Sequence, residues 1–405
     1  MKLGTDNNER SGLSNNSYTE DRLSKIKKRK NSKIRSVLII LGYMTALIFI
    51  MSAAAMINTW IDGKVNETAA DYAEAMGGAV SGSDAETDDK EPTVTFTQEE
   101  VDAMVEEAVL EAVANTEADM KQAIEDARTE VLNGIQEGLS SGEETTVEVL
   151  RPFYPEHIVA VSEGKFHFVP INYELKMNSY DDANLNILES GEYQYVVDDQ
   201  VITRKGIDVS RFQGKIDWQA VAADGVEFAF IRVANRGYGS GKLVEDETFD
   251  ANMKGAIDAG IHVGVYIFSQ AINEDEIREE FQLVMDKVEP YGVKCPIVFD
   301  VEKTADSSGR MNQLTVEERT NLTLLFCQLV EEAGYKPIVY HNLEMGALMI
   351  DVETLENYDK WFAYYNDDMY YPYDYKIWQY SDKGRVNGIS GDVDLNICFE
   401  PFWEE

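Results

Sequence analysis

Between Lys205 and Phe402, short apolar runs recur along the chain. They are Gly206–Val209, Phe228–Arg232, His262–Phe268, Pro296–Val301, Pro337–Tyr340, Lys360–Tyr365, Ile377–Tyr380 and Val393–Ile397. Helical periodicity fills the gaps between the first five, over Trp218–Asp224, Thr248–Ala259, Glu274–Val288 and Thr315–Ala333. After the fifth run the helical patterns become short or vanish. Apolar strands alternating with helices predict a parallel sheet, and eight of them predict a closed barrel. The expected fold class is α/β, an irregular TIM-like barrel over residues 205–405, with a helix-poor later part.

Upstream the patterning changes four times. Residues 150–204 predict a small β-rich connector. His157–Val161 and Lys165–Val169 alternate around Glu163-Gly164 as a hairpin would, and Tyr193–Val197 suggests another strand. No chemistry is evident there; the segment is expected to pack on the barrel, the alternative being an accessory wall-contact surface. Residues 62–149 predict an acidic linker and a helical stalk. The Gly-, Ser- and acid-rich stretch 77–92 reads as flexible. Thr97 and Glu100 have capping-box spacing, and Val101, Val105, Ala108, Ala112, Met120, Ile124, Ala127 and Val131 continue a narrow stripe. A helix of about 38 residues, on the order of 57 Å long, is expected to end near Gly134 or Gly138. It serves as a spacer or pairs two copies into a homodimer as a weak coiled coil.

Residues 37–61 carry no charge and are long enough to cross a bilayer. The preceding residues 1–36 are basic, with Lys25, Lys27, Lys28, Arg29, Lys30, Lys33 and Arg35 close to the apolar run. This predicts a single-pass anchor with a cytoplasmic N-terminus and an extracellular body. The rival reading is a cleaved signal peptide ending near Ser52-Ala-Ala-Ala55. Either way the barrel lies on the outer side of the membrane.

Charge narrows the partners. Lys plus Arg is 36, Asp plus Glu is 74, and the net charge is -38. With a head of +6, the body from Asp62 onward carries -44. That excludes electrostatic adhesion to nucleic acid. Cys295, Cys327 and Cys398 have no zinc or redox spacing and read as buried free thiols. The four histidines, His157, His167, His262 and His341, offer no ligand pair, so no metal site and no cofactor is expected.

Acidic residues interrupt the apolar strands at Asp208, Asp300, Glu302 and Asp394. The chemistry of such barrels gathers at the C-terminal ends of their strands. Asp300 and Glu302 are two apart, so both point to one strand face, which in a barrel is the interior mouth. Burying two carboxylates together raises the pKa of one and keeps an acid protonated for a leaving oxygen. Paired carboxylates at one cleft are the equipment of glycoside hydrolysis.

Several segments then align in order: Gly206-Ile-Asp-Val-Ser-Arg-Phe-Gln-Gly214, Ile216-Asp-Trp218, Phe228-Ala-Phe-Ile-Arg232, Pro296-Ile-Val-Phe-Asp-Val-Glu302, Trp361-Phe-Ala-Tyr-Tyr365, Trp378-Gln-Tyr380 and Gly388-Ile-Ser-Gly-Asp-Val-Asp-Leu-Asn396. The stretch resembles glycoside hydrolase family 25, the Chalaropsis-type lysozymes, over about half the chain. The resemblance implies a (β/α)5(β)3 barrel. It also implies cleavage of the β-1,4 bond between N-acetylmuramic acid and N-acetylglucosamine in peptidoglycan. Carried over by motif, Glu302 is the general acid and Asp300 sits beside it, with Asp208 and Asp394 completing an acidic floor. Tyr266 and Tyr340 line the cleft, and Trp361, Tyr364, Trp378 and Gln379 form sugar-binding walls. Many members carry Tyr-His-Phe where this chain has Tyr266-Ile267-Phe268, but the central residue is expected to face away from the cleft. Two mechanisms stay open: attack by the substrate N-acetyl oxygen with Asp300 steadying the oxazolinium, or Asp208 or Asp394 acting as nucleophile or water-activating base.

With the resemblance, the expected function is that of a membrane-anchored muramidase remodelling the cell's own wall, in a bacterium with a Gram-positive wall. The alternatives are an inactive wall-binding or scaffold protein on the same fold, and a glycosidase acting on another N-acetylated polymer such as chitin.

Overall fold

The computed structural model describes residues 98–403, apart from 143 and 293–295. The expected basic tail, transmembrane segment, flexible linker and Thr97 cap, together with Cys295, lie outside the described residues. Among the described residues no helix is long and apolar enough to cross a membrane. The chain divides into two units, the second beginning at Leu150.

In the first unit, helix α1 (Gln98–Ser141) runs for 44 residues, about 66 Å at 1.5 Å per residue. It passes through both glycines at which an end was expected. A single glycine costs a helix about 1 kcal/mol relative to alanine, which the flanking turns absorb. The end comes instead at Gly142, whose φ of 65° is the left-handed conformation that closes helices. Leu110, Met120, Ile124 and Leu132 on this helix are exposed. A short helix, α2 (Thr146–Leu150), follows. The Glu148 carboxylate accepts from the Thr145 N–H, and the Glu148 N–H donates to the Thr145 hydroxyl.

The second unit opens with the connector. Strands β1 (His157–Ser162) and β2 (Lys165–Pro170) form the expected antiparallel hairpin around Glu163-Gly164, both at positive φ. Strands β3 (Leu185–Ile187), β4 (Tyr193–Val197) and β5 (Gln200–Val201) form a second small sheet. It packs on the barrel through Tyr193, which stacks on Tyr380 at 4.1 Å, and Tyr180 in the preceding segment stacks on Phe399 at 3.9 Å.

Eight strands close the barrel. They are β6 (Arg204–Val209), β7 (Phe228–Arg236), β9 (His262–Phe268), β10 (Ile297–Asp300), β11 (Pro337–Asn342), β12 (Asp359–Ala363), β13 (Ile377–Gly384) and β14 (Val393–Cys398). A short strand, β8 (Leu243–Glu245), folds back on β7. The helices between the strands are α3 (Trp218–Ala223), α4 (Phe249–Asp258), α5 (Glu274–Val288) and α6 (Val316–Glu332). Neighbouring strands are parallel from β6 round to β13. The exception is β14, which runs antiparallel to both β13 and β6. An all-parallel sheet was expected, but only eight residues separate β13 from β14. That is too few for a parallel crossover, which takes a dozen or more.

Two layers of core result. Between strands and helices lies a shell that includes Val265, Ile267, Phe299, Phe326 and Trp378. Inside the barrel Phe228, Phe230, Tyr266, Val298, Tyr340 and Trp361 fill the interior, with Phe402 and Trp403 packed against them. Glycines make room for these rings: a Cβ on Gly206 would come within 2.1 Å of the Phe228 ring, and one on Gly264 within 2.2 Å of Phe230. Cys327 and Cys398 are buried free thiols.

Candidate active site

Period-two alternation sends every second residue of a strand into the barrel. On β7 these are Phe228, Phe230 and Arg232; on β9, Gly264, Tyr266 and Phe268; on β10 and just beyond, Val298, Asp300 and Glu302. The lower members pack the interior, and the upper members line a cavity of about 260 Å³. Asp208, Tyr340, Trp361, Tyr365, Gln379 and Asp394 complete the lining. Asp394 reaches the mouth because β14 is reversed. The second residue of an antiparallel strand lies where its neighbours end, and the register pairs Asp394 directly with Asp208.

Two carboxyl pairs therefore face one space. In the first, the Asp208 Oδ2 accepts from Gln379 Nε2 at 2.8 Å and Asn396 Nδ2 at 2.9 Å. Burial still outweighs these bonds and pushes the Asp208 carboxyl up to about 6. Burial, and then the charge of Asp208, push Asp394 up to about 9, and a hydrogen bond joins the two carboxyls. In the second pair, burial and the neighbouring Glu302 charge hold Asp300 well above the carboxylate range. Burial raises Glu302 as well, opposed by a hydrogen bond with Asp300. Within each pair the two carboxyls are hydrogen-bonded, so the charge on one opposes ionisation of the other.

A polar relay fixes these groups. The Tyr340 and Tyr365 hydroxyls both donate to Gln379 Oε1, at 2.8 and 2.7 Å. Gln379 in turn donates to Asp208. The Trp361 Nε1 donates to Asn396 Oδ1 at 2.8 Å while its ring stacks on Phe230 at 4.6 Å. Fully buried Gln270 donates to the Glu302 carbonyl at 3.2 Å and fixes the strand end that carries it. Among the described residues lining the cavity, Arg232 is the one cation, and its guanidinium is held by Asp246 Oδ2 at 2.8 Å. An acid-lined cleft with aromatic walls is suited to protonating a leaving oxygen and steadying positive charge on a sugar ring.

The family model for glycosyl hydrolases family 25 matches residues 207–389. The Escherichia coli protein YegX is 31% identical over 211 residues, covering 48% of this chain and 69% of YegX. The chain belongs to glycosyl hydrolases family 25. It is thus a glycoside hydrolase by family. An autolytic lysozyme from Clostridium acetobutylicum is 28% identical over 197 residues, covering 47% of this chain and 55% of that protein. A solved family 25 glycosyl hydrolase from Bacillus anthracis superposes with a TM-score of 0.43 at 24% identity, over 53% of this chain and 96% of the other.

Within this family 25 domain, Asp208, Tyr266, Asp300, Glu302, Tyr340, Trp361, Gln379 and Asp394 meet at one cavity. Two residues expected as sugar-binding walls do not. Trp378 is fully buried in the outer shell, its Nε1 donating to the Tyr364 carbonyl at 2.8 Å. Tyr364 turns toward Phe362 and Tyr370 instead. Both are one residue out of phase with the inward positions, Gln379 on β13 and Trp361, Ala363 and Tyr365 on β12 and beyond. Tyr365, Arg232 and Phe268 line the cavity without having been singled out. Counting by twos from Phe228, Tyr266 or Trp361 finds Arg232 and Phe268 at once, and finds Tyr365 two residues past Ala363. Ile267 faces the outer shell, consistent with its departure from the common motif.

Proposed function

We propose that this chain is a membrane-anchored muramidase that cleaves the β-1,4 bond between N-acetylmuramic acid and N-acetylglucosamine in peptidoglycan, on the outer side of a bacterial cell membrane. The carrying observation is the pair Asp300 and Glu302 beside the pair Asp208 and Asp394 in one aromatic-walled mouth. The anchor rests on the uncharged run 37–61 behind a basic head. The similarity to an autolytic lysozyme supports the substrate.

The arrangement favours substrate assistance. Asp208 commits its Oδ2 to two amide donors, which suits a fixed negative charge better than a nucleophile. Asp300 is free to meet the acetamido N–H of the reacting sugar. Such a hydrogen bond stabilises the ionised form of Asp300 and moves the proton shared by the pair onto Glu302. Glu302 then protonates the glycosidic oxygen as the acetamido oxygen attacks the anomeric carbon. The C–O bond to the leaving sugar breaks, and water later opens the oxazolinium with Glu302 as base. Asp208, hydrogen-bonded to the protonated Asp394, adds negative charge beneath the ring, where positive charge develops.

Muropeptide analysis tests this reading. Purified peptidoglycan is incubated with the full chain and with Glu302→Gln, and the products are reduced and weighed. New reducing ends at N-acetylmuramic acid are expected from the parent, with a loss of about 10³-fold or more in the variant. Release of N-acetylglucosamine reducing ends, or of nothing from either protein, would overturn it.

A further inference from the structure

The connector hairpin stands on the catalytic side of the barrel. Its contacts fall on segments that follow β10, β11 and β12. At its turn, the Ser162 hydroxyl donates to Glu344 Oε1 at 2.6 Å, and Lys303 Nζ donates to the same oxygen at 2.9 Å and to Ser162 Oγ at 3.3 Å. At its base, the Tyr370 hydroxyl accepts from the Val159 N–H at 2.7 Å. Arg151, just ahead of the hairpin, pairs with Asp368 and donates to the Tyr364 hydroxyl at 3.4 Å. Two of these partners are immediate chain neighbours of cavity residues: Lys303 follows Glu302, and Tyr364 precedes Tyr365.

One face of the hairpin, with Ile158 and Val169, packs on the core. The other face is covered at Val159 and open toward the turn. Phe166 and Phe168 lie two apart on it, 41% and 38% exposed, and the Tyr154 ring, 39% exposed, rests on Phe168 at 4.3 Å. Their rings contribute area that the fold leaves uncovered, on the hairpin that touches the segments carrying the cleft residues.

We infer that Tyr154, Phe166 and Phe168 form an aromatic platform that continues the cleft and holds sugar units of a long N-acetylated glycan strand beyond the one being cut. The inference rests on the muramidase reading and adds to it a substrate preference. Aromatic rings suit the apolar faces of pyranoses. The hairpin turn is pinned at Lys303, the residue after Glu302, and Phe166 follows that turn directly, so a strand leaving the cleft on that side meets the hairpin. It belongs to residues 150–204, outside the stretch 207–389 that the family model matches. Strand-length preference is therefore a property this chain adds to the barrel.

The test compares two substrates with the full chain in detergent: purified high-molecular-weight glycan strands and a tetrasaccharide of alternating N-acetylglucosamine and N-acetylmuramic acid. Replacing Phe166 and Phe168 together by serine is expected to lower kcat/KM on long strands about tenfold, mostly through KM, and to change the tetrasaccharide by less than about twofold. The Phe166→Tyr/Phe168→Tyr pair is expected to keep long-strand activity, and the Phe166→Leu/Phe168→Leu pair to lose it. The leucine pair guards against misfolding, since it preserves the apolar cover. Equal losses on both substrates, no loss on either, or full activity of the leucine pair would overturn the platform. A parent inactive on both substrates would instead overturn the muramidase reading beneath it.

Discussion

At the scale of single residues, the cavity stores protons at a cost to stability. Asp208 and Asp394 keep their protons in the folded chain up to about pH 6 and about pH 9, whereas unfolded aspartates lose theirs near pH 4. Between those values the folded state binds more protons than the unfolded one, so stability falls as pH rises from about 4 through 9. Replacing Asp394 by asparagine is expected to flatten that slope and to raise the Tm at pH 8 more than at pH 5, while lowering kcat. Calorimetry at the two pH values, beside activity, checks it; a Tm unchanged at pH 8 would show that burial does not strain this carboxyl. The four acids were legible in the sequence because each interrupts an apolar strand, where solvated charge has no place. Arg232 was harder to see. It also interrupts a strand, but its partner Asp246 lies beyond the end of β8 and is brought to it only by the fold. For Trp378 and Tyr364 strand phase outranks residue type: an aromatic residue next to an inward position points the other way.

At the scale of elements, strand and helix limits followed the patterning closely. Asn273 and Thr315 cap α5 and α6 at the expected starts, since a cap needs only a side chain and the next turn's N–H groups. Strand direction was not legible for β14, because it depends on the length of the preceding connection, and a short connection carries no direction in its composition. Elements are also tied by buried charge. Arg236 on β7 donates to Glu280 Oε1 on α5 at 2.6 Å, with both side chains almost wholly buried. Burial lifts Glu280 to about 7 even so. Arg236→Met is expected to destabilise the fold by about 3–5 kcal/mol at pH 8, where an orphaned carboxylate is most costly. The loss should shrink at pH 5, where Glu280 takes a proton. Urea unfolding at both pH values reads the difference; an equal loss at both would assign the effect to packing alone.

At the scale of the whole molecule, the charge distribution sets how the enzyme meets its target. The body from Asp62 carries -44; on the proposed reading its target, a thick polyanionic wall, repels it, and the proposed anchor would supply the proximity that charge withholds. Purified full chain in detergent is expected to sediment with isolated walls more strongly at 0.5 M salt than at 0.02 M, because salt screens the repulsion. Equal or weaker sedimentation at high salt would remove that rationale for the tether. Such asymmetry was fully legible in the sequence, being a sum over residues that no fold alters. The closure of the barrel has a consequence of another kind, in time. The first and last barrel strands each bring one half of an acid pair, and they lie side by side. While the chain is being synthesised, every stage before residue 394 lacks both the closing strand and the partner of Asp208. A nascent chain of this design holds only one of the two acid pairs until its last strand is made, so on the proposed reading it gains its full cutting set only at completion.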